Sequence, residues 1–352
     1  MHTANMDIRN RSTNLTDKLT THYKSNKKKS GLIPSVGFLN RCAPLWYIVV
    51  IIGVAYWGIS DALPSIYGKR SILLLNINTC LCYVIFIEVM VNWVCIHVVD
   101  SSYKPHIHGT KQTEDNGSDA TVTIESSPSS QNSERQSKFN YKIYVATGVS
   151  KTDGSVERTA YPYWSWVPCL ICQKLRPPRC HHCTLCGICV LKRDHHCYFA
   201  RACVGINNQR HFTVFLFWAL FGTVYSSCHM ILYFFGEVLP VMKYIDIVPP
   251  IAFVRAVFGY QDFVISFMML LAWGLLAFTI LTWEHFKEMI FLITKSTTSF
   301  EHMNEITISD SRTLQDKLYS VFGHYWVLNF FVPVHMFFKP IEDPLYWPSI
   351  KL

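Results

Sequence analysis

The sequence predicts an α-helical integral membrane protein with four transmembrane helices and a cysteine-rich cytosolic domain between the second and third. Three observations lead there. Half of the 352 residues are hydrophobic and only 16% are charged, which is too apolar for an ordinary soluble domain. Four apolar runs, near 44–63, 71–99, 212–235 and 264–283, are each long enough to cross about 30 Å of hydrocarbon. Eight of the thirteen cysteines fall between Cys169 and Cys203, all within the loop that joins the second and third runs.

The first run, PLWYIVVIIGVAYWGIS, has no charge and is edged by Trp46, Tyr47, Tyr56 and Trp57, the aromatic belt of a membrane interface. No apolar core precedes about residue 44, so a cleaved signal peptide of the usual form is not expected. The second run holds Asn76, Asn78, Glu88 and Asn92. Hydrocarbon offers such groups no partners, so they are expected to face other helices or a wet cavity, Glu88 most commonly in helix-to-helix hydrogen bonding. Gly222, within the third run, is read equally as space in a cavity or as a close helix contact.

Lys and Arg number eight before the first run, two between the first and second, fourteen in the central loop, two between the third and fourth, and six afterwards. That asymmetry places both termini and the central loop in the cytosol. The expected organisation is a cytosolic segment 1–43, two spans within 44–99, a largely disordered linker 100–160, a cysteine-rich domain 161–211, two spans and a luminal loop within 212–283, and a cytosolic tail 284–352. The polar stretch 104–140 carries the order-poor composition of the linker. Its His106 and His108 are expected to be inert rather than metal-binding.

Residues 169–203 offer twelve candidate ligands, eight cysteines and four histidines. In a reducing compartment such a cluster binds zinc or reacts, because disulfides are rare there. A structural zinc takes four ligands and is commonly seeded by Cys-x-x-Cys turns, here Cys169/Cys172, Cys183/Cys186 and the overlapping Cys186/Cys189. Two closed sites would leave four residues over. Metal and thiolate chemistry both remain open at this point.

Cys169, Cys172, Arg176, Pro177, Pro178, Arg179, His181, His182, Cys183, Cys186, Cys189, Asp194, His195, His196, Cys197, Cys203, Gly205, Asn208 and Phe212 together resemble the cysteine-rich region of the DHHC-type zinc-finger protein S-acyltransferases (palmitoyltransferases). The likeness is tight over about 165–212, and four spans around a large cytosolic loop extend it. It implies one zinc on Cys169, Cys172, His182 and Cys189, and a second on Cys183, Cys186, His196 and Cys203. Cys180, His181, His195 and Cys197 are then left over. The resemblance makes Cys197 the nucleophile, His195 its base and Asp194 the group that orients His195. It implies transfer of a fatty acyl group from acyl-CoA to Cys197, then to cysteines of membrane-associated proteins, with the acyl chain in a cavity among the helices.

Arg176, Arg179 and Lys192 are candidates for the CoA phosphates, against a competing role facing anionic headgroups. Thr282 and Glu284 stand where the family's Thr-Thr-x-Glu element is expected, with Leu281 at its first position, and would tie the domain to the helix end. Residues 321–338 resemble the family's aromatic tail element, which packs on the bundle. Tyr198, Phe199 and Ala202 replace the family's usual Pro-Trp and Asn, Asp100-Ser101-Ser102 replaces Asp-Pro-Gly, and Cys180 is an unassigned thiol. The expected setting is an endomembrane, Golgi or endoplasmic reticulum, with the plasma membrane as another. The competing reading is a non-catalytic, zinc-ordered scaffold that binds partner proteins. Nucleic acid is not an expected partner, because the loop lacks a dense basic stripe with stacking aromatics.

Overall fold

A computed structural model describes residues 36–104, 141–149, 156–169, 171–331, 342–345 and 347–351. His106, His108 and nearly all of the polar stretch 104–140 lie outside the described residues, as does the end of the aromatic tail element beyond residue 331. Among the described residues four helices are long and apolar enough to cross a membrane: Gly37–Tyr67, Ile72–Val98, Gln209–Val238 and Phe263–Lys295. They contain α1 (Val36–Trp57), α2 (Ile72–Val98), α3 (Gln209–Tyr233) and, after a shorter α4 (Pro249–Val257), α5 (Phe263–Lys295).

Each boundary follows from local chemistry. Ser71 caps α2 by accepting from the Leu74 N–H, and Asp262 caps α5 by accepting from Val264, so helix ends that would otherwise leave donors unpaired are satisfied. The fourth helix overruns its apolar run by some three turns. Glu284 and Lys287 pair across one turn, 2.6 Å apart and exposed, while Met289, Leu292 and Ile293 are buried in the main core, so this extension is amphipathic. The tail expected from residue 284 therefore begins as helix and leaves it only at Ser296, whose φ of 55° turns the chain.

The bundle centres on α3, which packs against both α2 and α5. The first two turns of α3, Gln209 to Leu216, are buried, whereas Val49, Ile72, Phe267 and Leu270 are exposed as lipid-facing side chains must be. Gly222 is a close helix contact that also lines a cavity: a Cβ there would lie 2.8 Å from the Ile85 side chain. Tyr225 of α3 donates to Asn78 of α2. The buried Glu88 finds its partner inside its own helix rather than across to another, accepting from Asn92 at 3.1 Å. Past the last span the aromatic segment returns to the bundle. Phe322 is fully buried in the main core, and the Phe330 carbonyl accepts from the Trp218 indole at 2.6 Å.

Between α2 and α3 the chain builds hairpins instead of helices. β1 (Lys142–Val149) pairs antiparallel with β2 (Val156–Pro162); this hairpin lies almost entirely where the sequence suggested a disordered linker. Four shorter ribbons follow: β3 (Val167–Cys169) with β4 (Lys174–Arg176), β5 (His181–Cys183) with β6 (Ile188–Val190), and β7 (His196–Cys197) with β8 (Ala202–Cys203), while Ser309–Asp310 pairs later with Ile350–Lys351.

The domain is tied to α2 and α3 at one knot. Asn208 accepts from the Gly205 N–H at 2.8 Å and from Ser101 at 3.1 Å, and donates to the carbonyls of Ile96 and Cys203. Gly205 is required there by space, since a Cβ would fall 2.7 Å from the Leu191 carbonyl oxygen and 2.9 Å from Ser101.

Candidate active site and metal centres

The hairpin register explains how twelve candidate ligands sort themselves. Successive residues of a strand face opposite sides. On β5, His182 and Cys183 are consecutive, so they serve opposite faces of one ribbon. His182 stands opposite Cys189 on β6 and meets Cys169 and Cys172 of the first hairpin. Cys183 turns the other way, toward Cys186 and the pair His196 and Cys203, which stand opposite each other on β7 and β8.

Two groups result, Cys169, Cys172, His182, Cys189 and Cys183, Cys186, His196, Cys203, each with all its donor atoms within 4.8 Å of one another. In the second group His196 Nδ1 lies 3.6 Å from Cys183 Sγ, 3.2 Å from Cys186 Sγ and 3.7 Å from Cys203 Sγ. A tetrahedral zinc with ordinary Zn–S and Zn–N bonds needs donor separations of roughly 3.6–3.8 Å. Donor type, number and spacing therefore fit zinc at both groups, and all thirteen cysteines are free of disulfides. The residues after the two Cys-x-x-Cys turns, Gln173 and Gly187, have φ of 52° and 71°, which closes each turn so that both sulfurs point to one place.

The same alternation frees Cys197. His196 faces the second metal group, so its neighbour on β7 faces the bundle, where His195 and Cys197 line a cavity of about 350 Å³. Its walls are apolar side chains of all four spans, among them Val50, Ile85, Phe215 and Leu275. From Phe212 to Met230 it follows α3 for about 27 Å at 1.5 Å per residue, most of the hydrocarbon thickness. Phe199, one of the unusual residues after Cys197, packs edge-on against Tyr47 and has its carbonyl held by the Trp93 indole at 3.1 Å. Tyr198 is partly exposed and its ring packs against that of His196.

Behind the thiol stands an ordered row. His195 stands beside Cys197 on the cavity wall, and its Nδ1 lies 2.6 Å from Asp194 Oδ2. Asp194 is 4% exposed and accepts from the Ser299 N–H at 2.6 Å and the Ser299 hydroxyl at 3.0 Å. Burial opposes its charge, yet the bonds from His195 and Ser299 hold its carboxyl below the usual range. Burial likewise opposes a charged His195, but Asp194 and Cys197 outweigh it and push the imidazole up to about 10. Phe212 closes over the His195 ring, with centroids 4.9 Å apart.

Ser299 was missed by sequence reasoning, and so was its neighbour Glu301. Glu301 accepts from Arg179 Nε at 2.7 Å and Nη2 at 2.8 Å, and from the Tyr163 hydroxyl at 2.7 Å. The tie between helix end and domain is thus Thr298-Ser299-Phe300-Glu301, at the start of the short helix α6 (Ser299–Met303). It is not Thr282 and Glu284: Thr282 bonds the Phe278 carbonyl within α5, and Glu284 pairs with Lys287. The available signal was a capping box, Thr298 with Glu301 three residues on.

The candidates for the CoA phosphates lie buried within the domain. Arg179 is 2% exposed and engaged by Glu301 and the Ser296 carbonyl, and the Trp347 ring covers it at 4.5 Å. Lys192 is 5% exposed and paired with Glu342 at 2.7 Å. Arg176 is buried and donates to the Cys180 carbonyl. Each of the three thus has a partner within the protein. Of the leftover residues, Cys180 is 2% exposed among Tyr103, Cys189 and Ile206. Buried His181 packs on Phe300 with centroids 4.3 Å apart, and burial, with Arg176 adding, pulls its pKa down to about 3. Only His195 and Cys197 of the four open onto the cavity.

A four-helix membrane bundle with a doubly metal-capable cysteine-rich domain, presenting a thiol, an imidazole and a carboxylate in sequence over an apolar cavity, defines a membrane-embedded thiol site. Residues 165–306 match the family model described as DHHC palmitoyltransferase. It is 46% identical over 66 residues to Palmitoyltransferase ZDHHC15 of Xenopus laevis, covering 19% of this chain and 20% of that one. It is 37% identical over 102 residues to Probable protein S-acyltransferase 14 of Arabidopsis thaliana, covering 26% and 33%. To Palmitoyltransferase PFA3 of Candida glabrata it is 48% identical over 64 residues, 18% of each chain. The matched stretch thus spans about a fifth to a third of these relatives' length.

Proposed function

We propose that the chain is a protein S-acyltransferase that moves a long fatty acyl group from acyl-CoA to Cys197 and then to a cysteine of a membrane-associated protein. The observation that carries this reading is the placement of Cys197 beside His195 on the cavity wall, outside both donor groups.

His195 takes the thiol proton and becomes an imidazolium, which the buried Asp194 carboxylate stabilises in one orientation. The Cys197 sulfur attacks the thioester carbonyl of acyl-CoA. The carbon–sulfur bond to CoA breaks, and the departing CoA thiolate takes the proton from His195. The acyl chain lies in the bundle cavity, whose volume is within the roughly 300–1,000 Å³ of small-molecule pockets. In the second half His195 takes a proton from the acceptor thiol, that sulfur attacks the acyl-Cys197 carbonyl, and Cys197 leaves and is reprotonated. One thioester replaces another, so the gain comes from proximity at a membrane surface where both substrates gather.

Zinc at Cys169, Cys172, His182, Cys189 and at Cys183, Cys186, His196, Cys203 would supply structural cross-links to a domain with little hydrophobic core. The distribution of Lys and Arg supports a cytosolic domain and cytosolic termini.

The test is a click-labelled fatty acid supplied to cells. Wild type should carry a hydroxylamine-sensitive label that Cys197→Ser loses and Cys180→Ser keeps. A label that survives Cys197→Ser would support a non-catalytic scaffold instead.

A further inference from the structure

Asn40 lies on α1, four residues before Pro44, and its side-chain Oδ1 is 2.8 Å from Nε2 of His196. The opposite ring nitrogen of His196, Nδ1, faces Cys183, Cys186 and Cys203. A neutral imidazole has one N–H and one lone pair. To give its lone pair to a metal through Nδ1, His196 must carry its hydrogen on Nε2, and a carboxamide oxygen at hydrogen-bond distance accepts that hydrogen. The placement is also served by the helix. Pro44 has no N–H to bond the Asn40 carbonyl, and its ring crowds that carbonyl, so α1 is loosened at the turn from which Asn40 reaches the domain.

The same helix also packs beside β7. Tyr47, seven residues beyond Asn40, is buried in the core cluster that contains Cys197 and packs against Phe199. One membrane helix therefore meets β7 on the ligand side through Asn40 and, through Tyr47, packs on Phe199 in the turn that follows the strand.

We propose that Asn40 is a positioning residue for the second metal group. It fixes the tautomer and ring orientation of His196 and couples the membrane end of α1 to the strand that carries Cys197. This rests on the reading of Cys183, Cys186, His196 and Cys203 as zinc ligands. The coupling runs through a hydrogen bond between segments 156 residues apart, so it forms only when span and domain are assembled together.

The test uses the full chain purified in detergent, with zinc content measured directly and zinc release followed with a chromogenic chelator. Wild type should hold two ions. Asn40→Ala, monodisperse by size exclusion, should release one of them about 10–100-fold faster, the usual effect of losing a partner of a ligating histidine, and leave the other at its wild-type rate. Asn40→Asp keeps an acceptor oxygen and should restore slow release. The proposal is overturned if Asn40→Ala releases both ions at wild-type rates, if it accelerates both equally, or if Asn40→Asp behaves as Asn40→Ala does. A wild-type chain that folds without zinc would instead bring down the metal reading itself, and the role of Asn40 with it.

Discussion

Arg179 and Glu301 form an ion pair with both side chains fully buried. Removing one partner of such a pair typically costs about 3–5 kcal/mol, because the other charge stays desolvated. Glu301→Gln should therefore lower the thermal midpoint of the full chain markedly, read by fluorescence-detected size exclusion after heating. The pair also sets an acid limit. Burial opposes the charged form of Glu301, but Arg179, Tyr163 and the Thr298 N–H hold its carboxyl below the usual range. A carboxyl with a depressed folded-state pKa contributes its full stability above its unfolded value, about 4.3, and loses it as pH falls from there toward the folded value. Glu301→Gln should flatten that acid limb; an unchanged limb would mean other carboxylates dominate it. Asp194, His195 and Cys197 were singled out by the family resemblance of one short stretch, which did not reach Ser299 and Glu301, whose partners Asp194 and Arg179 lie more than a hundred residues away. The pairing of Arg179 with Glu301 and of Lys192 with Glu342 was hidden for the same reason: a cation's partner is not written beside it.

Among elements, the two-residue strand β7 decides the most. Pleating alone sends His196 to the metal side and Cys197 to the cavity, and this was latent in the residue order once the hairpins were known. The β1–β2 hairpin was harder to see because it follows a long polar stretch and its strands carry little apolar alternation. Gly205 marks where element meets element. Gly205→Ala would drive a Cβ into the Leu191 carbonyl and Ser101, neither of which is the far end of a flexible side chain. It should reduce the yield of folded, zinc-loaded protein, measured as zinc per monodisperse chain, whereas Gly187→Asn, at a φ of 71° with open space around it, should be tolerated. Gly222 is different, since its crowded neighbour is the Ile85 side chain at the cavity wall. Gly222→Phe should narrow the cavity and shift autoacylation toward shorter chains, read by competition between labelled fatty acids of different length. An unshifted preference would place the chain elsewhere.

For the molecule as a whole, four apolar runs and the cysteine spacing were enough to give the architecture, because hydropathy and ligand count act over whole segments. The lengths of the spans were less legible: α5 continues past its apolar run on an amphipathic stretch whose Met289, Leu292 and Ile293 pack into the main core, and such tertiary packing is not registered by hydropathy. The organisation of the domain between the spans depends on donors from separate hairpins. Metal withdrawal by a strong chelator should accordingly expose the domain to protease while the helical far-ultraviolet signal persists, because the spans are held by their own packing and by lipid.

The space beneath Cys197 is itself a cost to the resting fold. A void lined by Val50, Ile85, Phe215 and Leu275 forgoes the dispersion contacts that a filled interior would have. A fatty tail tethered to the sulfur would complete that interior, so product of the first half-reaction doubles as a missing piece of the core. Cells starved of long-chain thioesters should then hold a looser, faster-degraded population, and loading with palmitoyl-CoA should raise the melting temperature of wild type but not of Cys197→Ser.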